Sequence, residues 1–383
     1  MSFLFGRTKP RSTHELVHST KELVQRLTSD PKAAKIEEEL VRNLMQLKIS
    51  LQGSPDVDAT PEQVYNVVNA VLAEDVLPEL VECISLIPFE ARKDVQAVIS
   101  AVFRYRSSGS SASAEPDALS EVLHRQPGIV VKLCHGYERK ESASACSGVL
   151  KEALKWDAVA AVILYDERDD PAKTVDIYGD IDVSQPASGE GVFWRFFEWI
   201  DRSSFEISAD AFDTFRLILT KHKPLVSQFV ATNAERFFEK YNEVLIKSES
   251  YVTKRQSIKL LGELLLDRQF YEVMTFYVDS GDNLKLIMWQ LKDERRMVQY
   301  EAFHVFKIFV ANPNKSYDVL KFLIMNKDRL LKFLPRFLEN RTDDEQFNDE
   351  KTWLLKTIGS LPDSTAALQR ARPPEGQTQQ CVG

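Results

Sequence analysis

The sequence predicts an all-α protein: an armadillo/HEAT-like helical-repeat solenoid, a single elongated domain with a concave binding surface. Three observations lead there. Helix-start signatures recur along the whole 383-residue chain. The supply of 14 Gly and 16 Pro is lean for a β-protein that needs many tight turns. One apolar motif also returns at a spacing near 45 residues, the period of stacked helical repeats.

The first start is Ser12-x-x-Glu15, a capping box in which a hydroxyl takes an orphan amide of the first turn and the glutamate reaches back. Leu16, Leu23, Val24 and Leu27 then lie on one stripe. Thr60-Pro61-Glu62-Gln63 adds Pro at the first helical position. Ser107 to Pro116 is rich in Ser, Ala and Gly and reads as a flexible loop; Asp166 to Gly191 reads as an exposed insertion between repeats, with weak strand-like alternation over 174–183. Ala211-Phe212-x-x-Phe215-Arg216 returns as Ser257-Ile258-x-x-Leu261 and as Ala302-Phe303-x-x-Phe306-Lys307, at intervals of 46 and 45 residues (211 to 257 to 302). No such repeat can bury its apolar face alone, so neighbours must stack. Thr253 and Thr342 read as caps of two further helices, the second opening on Asp343, Asp344 and Glu345. From Gly359 onward Pro, Gln, Gly and Ala dominate. The expected organisation is a helical scaffold over 12–358, an exposed inserted loop at 166–191 and a disordered tail at 359–383.

The net charge of −8 argues against a general phosphate-binding surface and so against nucleic acid. Cys83, Cys134, Cys146 and Cys381 show no CxxC spacing, which predicts reduced thiols in a cytosolic or nuclear protein, with cytoplasm the default address where no targeting segment is read. Cys134 and His135 are adjacent, but neighbours on a helix point apart. The start Met1 to Arg7 lacks a signal-peptide core, and no apolar run approaches the roughly 20 residues of a membrane span.

Sites for chemistry are scarce. Asp343, Asp344, Glu345, Asp349 and Glu350 form an acidic cluster that a helix N-terminus explains better than a calcium cage. Asp180-x-Asp182-x-Ser184 opens like an EF-hand loop but has Gln185 where Gly is needed and Gly191 where Glu is needed. The six histidines are scattered; His304, one turn from Glu301, reads as a solvated ion pair. With no metal set, nucleophile elbow, P-loop or kinase signature, no cofactor and no catalytic residue are expected. Binding has better candidates. Arg255 and Lys259 make a basic stripe one turn apart beside Tyr251, while Ile258, Leu261 and Leu265 point to the core. Arg268, Tyr271 and Met288 combine a cation, an aromatic ring and a thioether suited to an aromatic-plus-carboxylate peptide.

The block from Tyr251 through Thr253, Arg255, Ser257, Lys259 and Gly262 to Arg268 closely resembles the calcium-binding protein 39 family, the Mo25-like scaffold proteins, especially their filamentous-fungal members. So do Glu301–Lys307, Ala311–Lys315, Asp344–Lys351, the opening Phe3-x-Phe5-Gly6 and the stretch Phe205-x-Ile207-x-x-Asp210-Ala211-Phe212. The resemblance runs from about residue 3 to about residue 358. It implies a non-catalytic, armadillo-like scaffold, a monomer that forms hetero-complexes. Its partners would be Ste20/germinal-centre-type protein kinases or a related pseudokinase, which it would bind and activate. In fungi the resemblance extends to an NDR-kinase network of polarity, cell separation and conidiation. By the same resemblance Phe205, Tyr251, Arg255 and Lys259 face the kinase, and Arg268, Tyr271 and Met288 hold a Trp-Glu-Phe peptide tail. Tyr271 stands where animal members usually carry Phe. The other readings are a generic helical-repeat adaptor without kinase activation, and a helical enzyme with an unrecognised site.

Overall fold

The computed structural model describes residues 12–29, 34–107, 109–112, 114–179 and 181–363. Among them every regular element is helical, and the one extended pairing is an isolated bridge between Ser54 and Val57. The strand-like alternation at 174–183 forms no strand in the described residues, its polar turns leaving no run long enough to pair.

The helices open with a pair, α1 (Thr13–Ser29) and α2 (Ala34–Gln52), and then come in threes. The first triplets are α3 (Pro61–Ala73), α4 (Val76–Cys83), α5 (Phe89–Phe103), then α6 (Asp117–Arg125), α7 (Gly128–His135), α8 (Lys140–Ala153). Next come α9 (Asp157–Tyr165), α10 (Val192–Arg202), α11 (Phe205–Lys221), then α12 (Lys223–Thr232), α13 (Ala234–Lys240), α14 (Tyr251–Leu266). The series closes with α15 (Tyr271–Val278), α16 (Gly281–Gln290), α17 (Arg296–Ala311) and α18 (Tyr317–Met325), α19 (Lys327–Phe333), α20 (Glu345–Gly359). Along two stretches of the chain these third helices, and α2 before them, pack each on the next: α2 on α5, α5 on α8 and α8 on α11, then α14 on α17 and α17 on α20. α11, α14 and α17 begin 46 and 45 residues apart, at 205, 251 and 296. The recurring motif is the buried stripe of these helices: Ala211, Phe212 and Phe215, then Ser257, Ile258 and Leu261, then Ala302, Phe303 and Phe306. The repeat is therefore a three-helix unit that buries its apolar face only against its neighbour.

The chain divides into two compact units, one ending at Asn233 and the other starting at Ala234. Asn233 is tied backward: its amide donates to the Phe229 carbonyl (2.9 Å) and its side-chain oxygen accepts from the Ala187 amide (2.8 Å). In the first unit α10 supplies an aromatic core, Phe193 stacking on Phe215 at 5.6 Å and Phe196 meeting Trp199 edge-on at 5.1 Å. In the second, Phe303 packs on Phe347 at 4.7 Å and Phe238 on Tyr277 at 4.6 Å. Each such ring taken fully from water contributes about 2–3 kcal/mol.

Local signals place some helix starts and misplace others. The Ser12 box forms, with the Ser12 amide donating to Glu15 (2.8 Å) and the Glu15 amide to the Ser12 hydroxyl (3.2 Å). The Thr60 box forms in the same way. Thr253 is not a cap: α14 starts earlier, and Ser250 accepts from the Thr253 amide while Thr253 itself is buried in the first turn. Thr342 gives way to Asp344, which accepts from the Phe347 amide (3.0 Å) and is also held by Arg341 (3.2 Å) and Tyr300 (3.1 Å).

The 166–191 insertion is mostly exposed or half-buried along its length, but its ends are clamped. Buried Asp166 accepts from the amides of Asp169 (2.9 Å) and Val192 (2.7 Å). A Cβ at Gly191 would lie 1.6 Å from the Asp166 carbonyl oxygen, so only glycine closes the loop there. Tyr178 stacks on His124 at 3.6 Å, and Asp169 pairs with His135 at 2.6 Å. Phe3, Phe5, Gly6 and Cys381, and the tail beyond Asp363, lie outside the described residues. Before that point Lys327 holds the Leu361 carbonyl (2.5 Å) and Asp363 (2.6 Å).

Candidate partner-docking surface

In the second unit the first turn of α14 projects Tyr251, which is 39% exposed, while Thr253, Ser257 and Ile258 of the same helix are buried. Its ring is fixed from below. The Arg295 guanidinium lies 5.7 Å from the ring centroid and is itself forked onto Asp293, both nitrogens at 2.7 Å. That fork holds the Asp293 carboxyl down at about 2, against the opposing effect of burial. Lys254 adds a second cation at 3.5 Å from the same carboxylate, and Gln299 donates to the Asp293 carbonyl (2.6 Å). Tyr251 is therefore a pre-ordered aromatic surface, of the kind that binds at low entropic cost.

One turn on, Arg255 is half-buried and donates through Nε to Glu301 of α17 at 3.4 Å. Glu301 is almost completely buried, and that burial raises its carboxyl above the usual glutamate value; Arg255 first and then Lys259 oppose the shift. The basic stripe is thus divided in role: Arg255 neutralises a buried carboxylate, and Lys259 is exposed. In the first unit Phe205 is the first residue of α11, at 69% exposure, beside a Glu206–Lys140 pair at 3.1 Å.

Arg268 sits exposed in a one-turn helix, Arg268–Phe270, and Tyr271 follows at the start of α15, 62% exposed. Met288 is half-buried on α16, the helix that packs on α15. No hydrogen bond or ion pair joins these three side chains among the described residues, so adjacency of their helices is what the structure provides. Sequence reasoning missed Trp289, which follows Met288 and is the most exposed large apolar side chain of the second unit at 73%. A tryptophan two residues beyond Ile287, off the α16 stripe of Leu284 and Ile287, was the available signal. It also missed Asp293 and Arg295, whose i, i+2 spacing in a loop permits the fork.

His304 does not pair with Glu301 in solvent. It is half-buried against Glu350 (3.6 Å) and edge-on to Tyr300 (4.6 Å), and burial lowers its pKa, with Lys307 adding to the effect. Glu350 is engaged by Lys307, and Asp344 by the α20 cap, which accounts for two members of the acidic cluster. The Asp182 carboxylate turns back onto the Ser184 amide (3.0 Å), and Asp180 lies outside the described residues. Among the described residues no three His, Cys, Asp or Glu side chains approach closely enough to hold a metal ion. The thiols of Cys83, Cys134 and Cys146 are free and buried; burial pushes Cys83 and Cys146 up to about 12. Among the described residues no helix is long and apolar enough to cross a membrane.

The family model described as Mo25-like matches residues 3–362. The chain is 50% identical over 379 residues to the conidiophore development protein hymA of Emericella nidulans, covering 99% of this chain and 98% of that one. It is 37% identical over 361 residues to the Mo25-like protein of Schizosaccharomyces pombe, covering 94% and 100%. It is also 37% identical over 332 residues to the calcium-binding protein 39-like protein of Mus musculus, covering 87% and 89%. The motif blocks around α14, α17 and α20 and this near end-to-end similarity agree: the chain belongs to the Mo25-like family.

Proposed function

We propose that this protein is a non-catalytic, cytoplasmic scaffold that binds Ste20/germinal-centre-type protein kinases and holds them in their active arrangement. The observation that carries the reading is the start of α14, where an exposed tyrosine is braced by the Asp293–Arg295 fork and followed by exposed Lys259. Tyr and Arg are the residue types that dominate interface energy, and bracing reduces the ordering cost of using them. Family membership supports the same role, with Phe205 as a further contact and Arg268, Tyr271 and Met288 as the holder of a peptide tail. The identity to a protein named for conidiophore development favours a place in polarity and conidiation signalling, within an NDR-kinase network.

The mechanism is population shift. A kinase that samples active and inactive arrangements moves toward the active one when the scaffold binds that one more tightly. Going from 1:99 to 99:1 needs about 5.5 kcal/mol of differential affinity, within reach of a few buried aromatic and arginine contacts. The test adds the purified chain to each Ste20-type kinase of the same organism and measures phosphoryl transfer. The expected result is stimulation of at least one, reduced at least tenfold by Tyr251→Ala. Stimulation of none, with a pull-down returning no kinase, sinks the reading in favour of a generic adaptor.

A further inference from the structure

In the second unit a cavity of about 440 Å³ opens between the start of α17 and the segment joining α19 to α20. Three arginines line it from three positions: Arg296, Arg336 and Arg341. Arg296 and Arg336 are exposed and form no hydrogen bond or ion pair through their side chains among the described residues. Arg341 is held rigid, its guanidinium 3.8 Å from the Tyr300 ring centroid and its Nε 3.2 Å from Asp344. The lining sets three guanidiniums against the carboxylates of Glu339 and Asp343, and Arg296 and Arg336 keep their donors free for a ligand. They demand an anion that accepts from several donors at once. Gln299 supplies a further amide to the lining, and α17 begins there without a side-chain cap.

We infer that this cavity receives a single phosphorylated serine or threonine of a docked protein. A phosphate carries nearly two charges and three acceptor oxygens, enough for three guanidiniums, where a carboxylate brings one charge and two oxygens. Glu339 and Asp343 stand on the same rim and repel an extended polyanion, so neither a nucleic acid nor an anionic membrane suits the site. Met297 and Leu338 offer apolar contact to the residues flanking the phosphate. Arg296 directly follows Arg295, the residue that braces Tyr251, and the docked protein is taken to be the one that Tyr251 engages. That last step, the identity of the docked protein, rests on the docking reading above; the affinity for phosphate does not.

The experiment titrates the full chain, by fluorescence anisotropy, into degenerate peptide pools with a fixed central phosphothreonine, threonine or glutamate. The phosphothreonine pool is expected to bind at least tenfold more tightly than the other two, with competition by inorganic phosphate. The double variant Arg296→Gln/Arg336→Gln, at exposed and unpaired positions, is expected to lose at least fivefold with unchanged circular dichroism. Tyr251→Ala is expected to keep phosphopeptide binding within twofold, so loss of kinase stimulation and loss of phosphate binding are separately read. Equal binding of the three pools overturns the inference, and so does a double variant that binds like wild type. Tighter binding to phosphoinositide vesicles than to the phosphopeptide pool, lost in the same variant, overturns it in favour of a membrane site.

Discussion

Two interhelical ion pairs set their carboxylates at the same register of a third helix, one in each unit, and differ in what they do. Asp210 of α11 and Glu301 of α17 lie two repeats apart, and each takes a cation from the preceding third helix: Lys151 of α8 and Arg255 of α14. Asp210 is about a third exposed and also accepts from the Tyr137 hydroxyl (3.2 Å). Glu301 is only 9% exposed. The first pair is solvated and replaceable, like most ion pairs at a surface. In the second the carboxylate has left water, so Arg255 is required for the packing of α14 on α17. One side chain thereby serves both the fold and the surface, and its removal cannot be read as a binding defect alone.

The comparison breaks most visibly in truncation. Arg255→Ala is expected to destabilise the α14–α17 layer by about 2–3 kcal/mol, because it leaves a buried carboxylate unpaired. Lys151→Ala is expected to cost about 1 kcal/mol or less. Native-state hydrogen exchange in α14 and α8 separates the two, and adding Glu301→Gln is expected to recover most of the loss. Equal costs in the two units would refute the contrast.

Next in size is the brace under Tyr251. The Asp293 carboxyl has a folded pKa depressed to about 2, so its stabilisation is fully present above the ordinary aspartate value near 4 and is lost as pH falls toward 2. Asp293→Asn is expected to cost about 2 kcal/mol at neutral pH, the gap closing toward pH 2. A gap independent of pH would mean that the charge is not what holds Arg295.

Smaller still is the cap. Ser250→Ala is expected to cost about 1 kcal/mol in α14, through loss of the acceptor for the Thr253 amide. The smallest effect is the titration of Glu301. Its folded pKa is raised, so the ionised form subtracts stability above that value, and the penalty disappears as pH falls below the unfolded value near 4.5. Protection of α14 in wild type is expected to lack part of the usual acid loss there, and Glu301→Gln to remove that feature.

What could be read from the sequence was whatever is decided within a few residues. The Ser12 and Thr60 boxes have both partners three residues apart, and the recurrence of Ala211, Ser257 and Ala302 marks the buried face of each third helix. Thr253-x-x-Gln256 fits the capping-box pattern and Ser250-x-x-Thr253, with no Glu or Gln at its third position, does not, so the local pattern points to the wrong cap of α14 and only the burial of Thr253 decides against it. The pairing of Arg255 with Glu301 spans 46 residues and exists only once two helices pack in register. The same holds for the partner of His304 and for the shared cavity lining of Arg296, Arg336 and Arg341.

The most direct measurement is hydrogen–deuterium exchange of the full chain with and without a Ste20-type kinase of the same organism. The account predicts new protection at the start of α14, over 251–259, and at the start of α11 around Phe205. Undiminished exchange over 251–259 in the saturated complex would contradict it.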